Sequence, residues 1–82
     1  MQMLNSSQFD ALAQESVIKT IEIQGTAGGF VIEVNGKLLE AKRGHTRVFK
    51  KLHTAAAFLK GHGIGAFKVD ISKWQPDQKS AL

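Results

Sequence analysis

Asn35-Gly36 stands between two runs of alternating residues, and no other feature limits the fold of this chain so much. A type I′ turn needs positive φ at both central positions. Asn and Gly supply it at the lowest steric cost, so the dipeptide predicts an antiparallel hairpin. Before it, residues 30–34 place Phe30, Ile32 and Val34 on one side and Val31 and Glu33 on the other. After it, residues 37–42 form the return strand, which Gly44 ends. Upstream, residues 17–24 are rich in β-branched side chains, with Ile21 and Ile23 on one face and Thr20 and Glu22 on the other. Residues 25–29, Gly-Thr-Ala-Gly-Gly, turn that strand into the next.

The remaining elements follow by the same reasoning. Residues 46–52 read as a fourth, shorter strand, and residues 65–72 return to period two with Phe67, Val69 and Ile71 alternating against Lys68, Asp70 and Ser72. Between them, residues 53–61 hold the run Thr54-Ala-Ala-Ala-Phe-Leu-Lys60 and predict a helix. Gly61 or Gly63 is placed to end it, and Ala55, Phe58 and Leu59 face the sheet. Residues 1–16 read as an appendage: Ser6 or Ser7 caps a helix of about two turns that either docks on the core or frays. Residues 75–82, polar and containing Pro76, read as a tail. The expected fold is a single small α+β domain over residues 17–74. A mostly antiparallel sheet of four to five strands is covered by one main helix in the order β-β-β-β-α-β, with an optional short N-terminal helix. Its core is expected to hold Ile21, Ile23, Phe30, Ile32, Val34, Leu39, Val48, Leu52, Phe58, Leu59, Phe67, Val69 and Ile71.

Composition removes most function classes. At 82 residues there is room for one modest core. No apolar run nears the ~20 residues a bilayer requires, and the first residues lack a basic and apolar leader, so a cytoplasmic protein without membrane contact is expected. Cysteine is absent, which excludes disulfides, thiolate catalysis and Cys-based zinc sites. His45, His53 and His62 are 8 and 9 residues apart, a spacing that gathers them on no common face, and no carboxylate pair flanks them in a metal-binding register. The run Gly61-His-Gly-Ile-Gly65 is glycine-rich but follows a helix and precedes a strand, the reverse of a nucleotide loop, so it reads as a helix stop. Asn5-Ser6-Ser7 fits a glycosylation sequon by chance. The expectation is no enzyme, no cofactor and no metal.

Charge gives the positive clue. Residues 37–60 carry Lys37, Lys42, Arg43, Arg47, Lys50, Lys51 and Lys60 against Glu40 alone, while the whole chain has a net charge of +4. If Val48 and Leu52 point inward, Arg47, Phe49 and Lys51 project outward together. Cations and an aromatic ring then form a surface suited to phosphates and bases. The opposite register buries Phe49 and leaves a solvated basic rim, where lysines guard a sheet edge. The candidate nucleic-acid-binding residues are Lys42, Arg43, Arg47, Phe49, Lys50 and Lys51, with DNA as partner. A second class is a protein-interaction module, a homodimer or a subunit of a partition or resolution complex, since sheet edges and the smooth Ala55–Ala57 surface favour pairing.

The run Lys19-Thr-Ile-Glu-Ile-Gln-Gly-Thr-Ala-Gly-Gly-Phe30 is followed by Gly36-Lys-Leu-Leu-Glu-Ala-Lys-Arg-Gly44, Arg47-Val-Phe-Lys-Lys-Leu52, Ala55-Ala-Ala-Phe-Leu59 and Val69-Asp-Ile-Ser-Lys-Trp74. Together these segments resemble the small ParC-type partition-associated proteins of bacterial plasmids and mobile elements. The resemblance spans residues 17–74. It implies a bacterial cytoplasmic protein of plasmid maintenance, with DNA or a DNA-associated protein as partner, and carries over no functional residues.

Overall fold

A computed structural model describes residues 3–74. In chain order they form β1 (Met3–Leu4), α1 (Ser6–Glu15), β2 (Ile21–Thr26), β3 (Gly29–Val34), β4 (Lys37–Lys42), β5 (His45–Thr46), α2 (Leu52–Gly61) and β6 (Lys68–Asp70). The open sheet runs β1-β4-β3-β2-β6, with β5 paired to β4. The centre is antiparallel as expected, but both outer strands join in parallel, so the sheet is mixed: β1 lies along β4 and β6 along β2.

The Asn35-Gly36 turn forms as predicted, with φ of +50° and +83°. Asn35 does more than turn. Its Oδ1 accepts from the Lys19 and Thr20 amides at 2.8 and 3.0 Å, and its Nδ2 donates to the Val17 carbonyl at 3.3 Å. The turn thereby holds the connection that leads from α1 into β2.

β2 and β3 pair over all six residues, placing Ile21 against Val34, Ile23 against Ile32 and Gly25 against Phe30 on the helix side. Phe9, Ile23, Ile32, Val34, Leu39 and Leu59 are fully buried there, and Leu4, Ile21, Phe30, Phe49 and Ala55 complete the core. α1 packs on β4 and α2 on β3. Helix α2 starts one residue before its predicted start and ends where predicted. Ile64 donates to the Leu59 carbonyl and Gly63, at φ +83°, to that of Lys60, which is a Schellman stop.

One open alternative is settled, the N-terminal helix docking and not fraying, and several expectations are corrected. The N-terminal stretch docks: Leu4 pairs beside Leu39, and the Phe9 ring is fully buried between the helices and the sheet. Its cap is Asn5, one residue before the expected serines, in a reciprocal box with Gln8 at 3.0 and 2.8 Å. The fourth strand is only His45–Thr46, paired with β4 through an irregular register between Glu40 and Lys42; beyond it Arg47 donates to Leu39, and Phe49 makes an isolated bridge to Phe30. That bridge turns Phe49 inward and leaves Val48 half-exposed. Leu52, expected in the core, opens α2 and is partly exposed, and Val69 and Ile71, on and just beyond the edge strand β6, are about half-exposed. Val31, expected outward, is buried. The predicted tail, residues 75–82, lies outside the described residues.

Candidate nucleic-acid interface

The basic segment divides into three positions. At the tip of the β4–β5 hairpin, Lys42 pairs opposite His45, and Lys42, Arg43 and His45 are all exposed. The tip is closed by Glu40, whose Oε2 accepts from the Gly44 amide at 2.8 Å. The one acid of the segment is therefore engaged with backbone, and it forms no ion pair with the neighbouring cations among the described residues.

Arg47 forms the second position. Its amide donates to the Leu39 carbonyl at 2.8 Å, fixing the backbone against β4. Its guanidinium lies 5.1 Å from the Phe49 ring centre and 4.8 Å from that of Phe58, half-buried over both. Such contacts are worth about 0.5–2 kcal/mol and hold the side chain in one orientation. Phe49 itself is no platform for bases. It exchanges backbone bonds with Phe30 at 2.7 and 2.8 Å, packs 5.4 Å from Phe58, and is 6% exposed. Of the candidate residues, Phe49 is thus a core residue, because the Phe30 bridge pulls it under the helix.

Lys50 and Lys51 make the third position, both exposed. Lys51 is the N-cap of α2, yet no side chain caps this end and its first turn carries no acid. Uncapped amides at a helix start carry partial positive charge. Two lysines beside them add like charge, and an anion relieves it. The sequence signal for this position was available in retrospect: no Ser, Thr, Asp or Asn stands at 51, where a cap belongs.

The acids lie elsewhere. Glu22 and Glu33 face each other across β2 and β3, with Lys68 of β6 opposite Glu22. They line an open cleft of about 650 Å³ together with Lys19 and Phe67, to which the basic segment contributes nothing. Asp10 Oδ1 lies 2.9 Å from His62 Nε2, the one contact between a carboxylate and a basic side chain among the described residues. Also among the described residues, no three of His, Asp or Glu are grouped to hold a metal ion, and no helix is long and apolar enough to cross a membrane.

A family model described as ParC-like matches residues 4–78. No curated protein and no solved structure matches the chain.

Proposed function

This chain belongs to the ParC-like family, a group of small plasmid-related proteins, and on that premise we propose a non-enzymatic role in plasmid maintenance. In this reading it associates with duplex DNA, without sequence preference, through Lys42, Arg43, Arg47, Lys50 and Lys51. The observation that supports it is charge left unmatched. Among the described residues none of these five cations has a carboxylate within ion-pair distance, and the only acid of residues 37–60, Glu40, is bonded to a backbone amide. A polyanion supplies what the chain omits, and contacts to phosphate carry affinity without reading sequence. Burial of Phe49 favours duplex over single strands, since the ring that would stack on bases is enclosed.

Fluorescence anisotropy with labelled duplex and single-stranded DNA tests the reading. With three to five phosphates contacted, log K falls with log salt at a slope of roughly −3 to −4.5. Replacing the exposed Arg43, Lys50 and Lys51 together by Ala reduces that slope by about 2–3 units and spares the Arg47 ring contacts. No binding at low salt, or a slope untouched by the triple substitution, removes the proposal. Tighter binding to single strands removes its duplex part.

A further inference from the structure

We propose that the free edge of β6 is a self-association site, where a second copy of this chain pairs antiparallel about a two-fold axis at Val69 and Lys68 of each protomer faces Asp70 of the partner subunit. β6 ends the strand order and is bonded to β2 alone, leaving its outer edge open among the described residues. Its register against Ile23 turns Val69 to the helix side of the sheet, where it stays 44% exposed, and Ile71 just beyond it is 50% exposed. Lys68 and Asp70 share the opposite face, across from Glu22 and Gln24.

The charge pattern selects the partner. Edge strands guarded against pairing carry charges that repel an incoming strand. Lys-Val-Asp does the reverse toward its own copy. An antiparallel pair centred on Val69 sets each Lys68 opposite an acid, twice, while Val69 meets itself and Ile71 lies across from Phe67 of the partner subunit. Centring the axis on Lys68 or on Asp70 would oppose like charges, so Val69 is the favoured centre. The Asp70 carboxylate is held through one oxygen only: its Oδ1 accepts from the Ser72 amide at 2.9 Å and the Ser72 hydroxyl at 2.7 Å, which leaves Oδ2 for the partner subunit's Lys68. Those two bonds hold its carboxyl below the usual carboxylate range and keep it ionised. The opposite edge strand, β1, spans only two residues.

A three-residue strand buries little area, so the pair is transient and calls for concentrations up to about 0.5 mM, as interfaces below ~1,200 Å² do. Sedimentation equilibrium of the full chain is expected to show mass rising with concentration above the 8.9 kDa of one chain. Lys68→Glu and Asp70→Lys, each alone, turn two attractive cross-strand pairs into repulsive ones and weaken association by at least about tenfold. Mixed in equal amounts, the two variants are complementary and recover it. Val69→Lys leaves Lys68 and Asp70 in place, sets like charges at the axis and also yields a monomer, and circular dichroism checks that each variant is folded. If another occupant covers the edge, residues 75–82 included, the wild type stays a monomer throughout, which overturns the proposal. Association indifferent to all three substitutions, or no recovery on mixing, overturns it equally.

Discussion

His62, the C-cap of α2, meets Asp10 of α1, Nε2 to Oδ1 at 2.9 Å, while its Nδ1 lies 2.9 Å from the carbonyl of Phe58 in the last turn of the helix. The ring also lies against Phe9, 5.0 Å between centres, so one histidine joins a polar contact to an aromatic one. Both side chains of the polar contact are partly exposed, and even fully charged pairs of this kind contribute only about 0.2–1 kcal/mol. Phe9 is fully buried, and its loss costs about 3–5 kcal/mol. Asp10→Ala should therefore move the urea midpoint only slightly, whereas Phe9→Ala should bring the domain close to unfolding. Equal losses would mean that charge, and not the ring, anchors α1.

Gly25 has no room for a side chain. A Cβ there would lie 2.5 Å from the Cβ of Trp74, which packs over it and stands 5.7 Å from the Phe30 ring centre. Gly25→Ala should cost about 1–3 kcal/mol through this overlap. In a Trp74→Gly background the same change should cost under about 1 kcal/mol, so a double-mutant cycle by denaturant titration reads the contact directly.

Asn35→Ala removes three side-chain bonds and sets a residue with a Cβ and no local polar group at φ +50°. A loss of about 2–3 kcal/mol is expected. Asn35→Asp retains both acceptor bonds and loses only the donation to Val17, so its loss should stay near about 1 kcal/mol. Thermal unfolding of the two variants side by side checks the order. A reversed order would leave the tether to residues 17–20 without weight.

Asp70 titrates below its ordinary value of 3.8, first because of the Ser72 hydroxyl and then its amide. A carboxyl lowered in the folded state adds stability above its unfolded value and loses it as the pH falls through the folded one. The contribution is therefore complete at neutral pH and disappears in acid below 3.8. Ser72→Ala removes the hydroxyl and keeps the amide, so the titration should rise toward the ordinary value without reaching it, as followed by the carboxyl carbon shift of Asp70 in NMR. An unchanged midpoint would refute the hydrogen-bond cause.

The central hairpin and α2 were legible because their signals are local. Asn35-Gly36 demands one turn type, the alternation on either side sets the inward faces, and the alanine run before Gly63 permits little besides a helix. Phe49 was not legible. Period two was counted over residues 46–52 as one continuous strand, whereas regular pairing stops at Thr46 and a separate bridge to Phe30 turns Phe49 inward in place of Val48. The face carrying Phe9 and Leu12 was legible as apolar, but whether it docks depends on α2 and β4 arriving from elsewhere in the chain. The basic segment was plain as charge; its division among a hairpin tip, a ring-held arginine and a helix start came from backbone turns that composition does not encode.

The two parallel edges of the sheet are formed by the two ends of the described chain, and this orders the assembly of the domain. Contacts within β2, β3 and β4 close short loops, while β1 must reach β4 and β6 must reach β2 across more than thirty residues of sequence. Short-range closures form at lower entropic cost, so the middle strands make the nucleus and the outer ones are added last. The same order runs backwards in opening. Amides of β2 and β3 should exchange with deuterium only on global unfolding, whereas those of β1 and β6 exchange through fraying that leaves the rest folded.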